Sequence, residues 1–138
     1  MRYKEQLLWD RMRKALRSHC ELHRIENLLG AGMPDVLAQC GEACSVMIEL
    51  KSVHKLPARS RTRVFGDEGL NIDQRNWIIS WTQAGGSALI LGAVGSERLW
   101  LVDGIHADAF NDMTASQLDA VALATNFDDV ILILKGEK

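Results

Sequence analysis

Gly32-Met33-Pro34-Asp35 is followed, 14 residues after Asp35, by Ile48-Glu49-Leu50-Lys51. Glu49 and Lys51 are two apart, so on a strand their side chains project from one face. If Asp35 opens a neighbouring strand, its carboxylate can meet that of Glu49 across the pair at ~5 Å. Two convergent carboxylates repel each other unless something positive lies between them, and a hard divalent cation such as Mg²⁺ or Mn²⁺ meets that need through oxygen ligands. An ion held there, with an amine beside it, is a device for hydrolysing phosphodiesters: it lowers the pKa of a bound water and neutralises charge on phosphate oxygens. Lys51 would then orient or deprotonate that water, or stabilise the charge that develops. The sequence leaves those three roles open.

Pro34-Asp35 followed by Glu49-Leu50-Lys51 resembles the signature of the PD-(D/E)XK nuclease superfamily, and the resemblance covers roughly residues 5–95. Within it the chain is similar to small single-domain enzymes of the VRR-NUC and Holliday-junction-resolvase kind. In those, an acid on the first helix and a Gln on the helix after the Lys strand support the site, and Glu5 and Gln74 stand at those places. The resemblance implies a catalytic set of Asp35, Glu49, Lys51, Gln74 and Glu5, with metal contacts from Asp35, Glu49, Leu50 and Glu5. It also implies a restriction-endonuclease-like mixed β-sheet flanked by helices, and a Mg²⁺- or Mn²⁺-dependent endonuclease acting on DNA, with branched or junction DNA as the favoured substrate. A homodimer is expected with it, since two active sites then address two strands. An exonuclease or nicking repair enzyme on the same core, or a silent nucleic-acid-binding module, is the alternative.

Each part has a plainer reading. Glu-x-Lys on a strand is commonly a solvated face, and Pro-Asp after glycines is commonly turn chemistry. Glu5 could complement the dipole of its helix, although it points to the apolar side, where an unpaired carboxylate is costly. Asn71-Ile72-Asp73-Gln74 is itself a capping box. The combination and its order, rather than any one part, carry the functional reading.

The charge distribution supports a polyanionic partner. Net charge is −2, but residues 1–69 carry 12 Lys and Arg against 9 Asp and Glu, whereas residues 70–138 carry 4 against 9. Between Lys51 and Gly66 there are five Lys and Arg and no acid. His54, Lys55, Arg59, Arg61 and Arg63 are therefore the expected nucleic-acid contacts, the three alternating arginines lining one side of an extended loop.

These residues need elements to hold them. Leu8, Met12, Leu16 and His19 recur at helical spacing and predict a helix over 3–19. Gly30, Gly32 and Pro34 mark a turn between a strand over 22–29 and a short strand over 35–39. Residues 45–51 alternate as a strand with one buried and one working face. A long basic loop follows over 52–69, then a helix over 71–84 with Ile78 and Trp81 on one stripe, stopped by Gly85-Gly86. Strands over 87–94 and 98–102 form a hairpin, Thr114-Ala115-Ser116-Gln117 caps a helix to about Ala124, and the run over 129–135 reads as a final strand. The order predicts a mixed α/β sandwich in one domain spanning 1–138.

With 138 residues, 47% hydrophobic and 25% charged, the chain has the balance of a globular protein able to bury one core. Its apolar runs fall short of the ~20 residues of a membrane span, and the N-terminus lacks a signal-peptide pattern, so a cytoplasmic protein is expected, with no membrane partner. Cys20, Cys40 and Cys44 are odd in number and are expected as reduced thiols. His19, His23 and His106 show no metal-ligand spacing. Trp9, Trp77, Trp81 and Trp100 are expected to pack in the core rather than stack on bases.

Overall fold

The computed structural model describes residues 3–25 and 31–137. In chain order they form α1 (Tyr3–Leu16), β1 (Cys20–Arg24), β2 (Val36–Cys40), β3 (Val46–Val53), a 3-10 turn (Gly66–Glu68), α2 (Ile72–Gln83), β4 (Ala88–Val94) and β5 (Arg98–Asp103). A second 3-10 turn (Gly104–His106), α3 (Ala107–Phe110), α4 (Ala115–Val121) and α5 (Phe127–Leu134) complete the chain. The α/β architecture is a mixed five-stranded sheet ordered β1-β2-β3-β4-β5. Every neighbouring pair is antiparallel except β3 and β4, which run parallel because α2 carries the chain back between them.

Strand alternation divides the apolar residues between two cores. Ile48, Leu50, Leu89 and Leu91 face α1 and α5, where Leu8, Met12 and Leu16 recur every four residues. Burying each such side chain contributes roughly 1.5–3 kcal/mol. On the other face Met47, Ile90, Trp100 and Val102 pack with Ile78 of α2, Phe110 of α3 and Leu118 of α4. The sheet is therefore covered on both sides, and β3 is buried from Met47 to Val53. The expected working face carries a pair of charged side chains, Glu49 and Lys51, that are only 1% and 9% exposed.

Several expected elements differ. α1 stops at Leu16, three residues early, and His19 is exposed rather than part of the apolar stripe. β1 begins two residues before the expected strand, whose residues 26–29 lie outside the described residues, as does Gly30 of the expected turn.

The largest correction is the run over 129–135, which is helix α5 and not a strand. Asn126 accepts the Asp129 amide as its cap, and Asp128 and Asp129 lie in its first turn, where negative charge is favoured. Val130, Ile131 and Leu134 then bury one stripe, and Gly136 ends the helix at φ +73°.

Cysteine chemistry also departs from expectation. The antiparallel register sets Cys20 opposite Cys40, with Cα atoms 4.2 Å apart, and the two form a disulfide. Cys44 is free and exposed. Their separation of 20 in sequence gives no hint of a pairing that only the strand register creates.

Candidate active site

Asp35 immediately precedes β2. Because Val36 pairs with Ile48, antiparallel register brings Asp35 opposite Glu49 at the mouth of the β2–β3 pair. Asp35 Oδ2 accepts the main-chain N–H of Leu50 at 3.0 Å, which fixes the carboxylate over the working residues. Lys51 Nζ lies 3.6 Å from Glu49 Oε2. Glu5 of α1, Asp35, Glu49, Leu50, Lys51, Asn71 and Gln74 line one cavity of about 220 Å³. All five residues expected to form the catalytic set thus border a single space, although they come from four separate stretches of chain.

The electrostatics are those of an under-compensated pair of acids. Burial pushes the Asp35 carboxyl above its ordinary range, opposed by the Leu50 N–H and the charge of Lys51. Glu49 is pushed well above its range, first by burial and then by the negative charge of Asp35, with Lys51 acting the other way. Glu49 Oε1 is buried without a hydrogen-bond partner. One ammonium facing two carboxylates leaves a deficit of one positive charge when both are ionised, and a proton or a cation can supply it.

Among the described residues, no three Asp, Glu, His or Cys side chains come close enough together to hold an ion by themselves. Glu5 therefore borders the cavity without joining Asp35 and Glu49 as a third close carboxylate. A magnesium ion is compatible with that arrangement, since it is commonly held by one or two carboxylates while keeping several waters. The unpartnered Glu49 oxygen is the structural observation that fits such an ion.

Gln74 caps its helix and also lines the cavity. Asn71 and Gln74 form the reciprocal capping box at the start of α2, with Gln74 Oε1 accepting the Asn71 N–H at 3.0 Å. A main-chain N–H can only donate, so the amide oxygen is committed to the cap and the NH₂ is the end able to serve a ligand. Gly32 fixes this helix against the Pro-Asp turn. Its φ is +84°, and a Cβ there would stand 2.1 Å from the Asp73 carbonyl oxygen, so only glycine lets the turn lie on the first turn of α2.

Asn111 was not foreseen as a site residue and supports the same corner. It accepts the Leu70 N–H at 2.7 Å and donates to the Leu70 oxygen at 2.8 Å, gripping the chain just before Asn71. Nothing in the local sequence marks this, because the bonds join residues 41 apart.

The basic loop divides into a held part and an open part. Val64 and Phe65 are buried, and the Val64 and Gly66 amides donate to the Met113 and Asn111 carbonyls. Arg63 is exposed and faces Asp67 and Asp112 at 3.3 and 3.5 Å. Arg59 and Arg61 are exposed, as are His54 and Lys55 just beyond β3. His54 and Lys55 border a groove shared with Lys4, Phe65 and Glu68, in which Lys4 pairs with Glu68 at 2.9 Å.

No helix among the described residues is long and apolar enough to cross a membrane. No protein-family model matches the chain, and no curated protein matches it. Among solved structures, the chain is similar to Hjc, a Holliday junction resolvase from the archaeal hyperthermophile Archaeoglobus fulgidus. The TM-score is 0.58 and the sequence identity 13%, over 83% of this chain and 89% of the resolvase. The chain has the fold of that resolvase, the restriction-endonuclease-like mixed sheet flanked by helices that the Pro34-Asp35 and Glu49-Leu50-Lys51 pattern implied.

Proposed function

We propose that this protein is a divalent-cation-dependent endonuclease of the PD-(D/E)XK type, acting on branched or junction DNA. The observation that carries the reading is the convergence of Asp35, Glu49 and Lys51 in one cavity, with a buried Glu49 oxygen left without a partner. That a Holliday junction resolvase has a similar fold supports junctions as the substrate class. Subunits acting in pairs would suit a substrate with two strands to cut.

Asp35 and Glu49, with the Leu50 main chain between them, would hold a Mg²⁺ or Mn²⁺ ion. When bound, that ion supplies a water of lowered pKa and neutralises charge on the phosphate. The chain's own groups do the rest. Lys51, held beside Glu49, would orient the attacking water and stabilise the negative charge that develops. The Gln74 NH₂ donates toward the same space, steadied by its cap. His54, Lys55, Arg59 and Arg61 draw the phosphodiester backbone across the opening.

The test is cleavage of plasmid and four-way-junction DNA with Mg²⁺ by wild type, Asp35→Asn and Lys51→Ala. Cleavage is expected only from wild type, with a loss of ~10²-fold or more for Lys51→Ala. Degradation of linear substrates from their ends alone would point to an exonuclease instead. Binding without any cation-dependent cleavage would leave a nucleic-acid-binding module.

A further inference from the structure

One of the four tryptophans departs from the expectation of core packing. Trp9 and Trp100 are buried and Trp77 is half-buried against the core, but Trp81 is 43% exposed. The rings of Trp77 and Trp81 stack on α2 with centroids 5.1 Å apart and 24° between planes. Trp81 also lies close to Gly86. A Cβ on Gly86 would lie 2.3 Å from its Nε1, so the indole rests on a floor that only glycine provides. An exposed aromatic ring that touches both a stacked neighbour and a glycine keeps little freedom to lose on binding.

This pair lines a pocket of about 400 Å³ with Ala31, Asp73, Asn76 and Ser80. No Lys or Arg is among its described lining residues, and Asp73 would repel a phosphate. The rim instead offers oxygen acceptors and an amide, which suit the exocyclic amines and ring nitrogens of base edges. The pocket neighbours the candidate active site along α2: Asn71 and Gln74 line the cavity while Asp73, Asn76 and Trp77 line the pocket. Ala31 adjoins Gly32, whose turn rests against Asp73.

We propose that Trp77 and Trp81 form a stacking pocket for an unpaired nucleobase of the DNA held at the Asp35–Glu49 site, so that the protein selects DNA with bases out of the duplex. This rests on the nuclease reading above. Every base has a π-face, so such a pocket favours unstacked bases with little regard to sequence. The rim acceptors would add a preference for bases bearing an amino group.

Fluorescence anisotropy without divalent cations would compare a duplex containing a short bulge with the same duplex fully paired, using wild type, Trp81→Ala and Trp81→Phe. Wild type is expected to favour the bulged duplex about tenfold or more. Trp81→Ala should lose that preference while Trp81→Phe keeps most of it. Acrylamide should quench emission of the free wild type more than that of Trp81→Phe, and the bulged duplex should protect it. Equal preference in wild type and Trp81→Ala, or a Trp81 shielded in the free protein, would overturn the proposal. Wild type that binds and cuts paired DNA but ignores the bulge would sink this inference alone, whereas failure to bind any DNA would remove the nuclease reading with it.

Discussion

Glu49→Gln tests the cavity as a cation site, because it keeps the side chain's shape and removes one of the two convergent charges. In the cation-free protein Glu49 is 1% exposed, and its carboxyl is raised well above the ordinary 4.5 by burial and by Asp35. A carboxyl whose folded-state pKa is raised stabilises the fold most below its ordinary value, and that contribution is lost as pH rises through the folded value. Wild type should therefore lose stability relative to Glu49→Gln as pH rises from the ordinary 4.5 through the raised folded-state value, until the variant is the more stable by on the order of 1 kcal/mol, the scale of an unsatisfied buried acceptor.

A cation reverses that order. At 100 times its Kd, an ion bound only to the folded state stabilises by about 2.7 kcal/mol, roughly 10 °C in Tm for a domain of this size. Thermal melts of both proteins at pH 8, with and without Mg²⁺ or Mn²⁺, read both effects. Wild type should gain that shift and the variant less than a third of it, and binding to wild type should release protons in calorimetry across buffers of different ionisation enthalpy. Equal cation shifts in the two proteins, or a stability difference that does not move with pH, would refute the reasoning.

Three further outcomes follow from the surroundings. Arg59→Ala with Arg61→Ala should flatten the salt dependence of DNA binding by up to about 2 units of slope, whereas Arg63→Ala, already engaged by Asp67 and Asp112, should change it little; a larger effect from Arg63 would mean that the loop rearranges on DNA. Reducing the Cys20–Cys40 disulfide, which closes a loop with a sequence separation of 20, should cost about 3 kcal/mol in denaturant melts, and an unchanged midpoint would count against a structural role. Asn111→Ala strips both partners from the Leu70 peptide and should cost about 1–3 kcal/mol, with a loss of cleavage beyond that of a surface control because the start of α2 is freed.

What the sequence determined by itself is the local chemistry. The period of two on β3 put Glu49 and Lys51 side by side, Asn71 and Gln74 announced their cap, and Gly32-Met33-Pro34-Asp35 announced a turn, because each is settled by residues within a few positions of one another. Tertiary structure decided whatever depends on distant partners. The run over 129–135 is apolar enough for a strand or a buried helix, and it becomes α5 because its cap is satisfied and its stripe finds the sheet face that α1 leaves open. Register alone joins Cys20 to Cys40. Arg63 reads like Arg59 and Arg61 until Asp112, 49 residues on, takes hold of it. Trp81 shares a helix with Ile78, yet α3 and the sheet cover only the Ile78 side and leave the indole on Gly86 in the open. Burial on both faces of the sheet is also what turns Glu49 from a strand residue into a carboxylate whose charge needs a proton or a cation beside it. Solvation is a property of the assembled fold, and no stretch of sequence carries it.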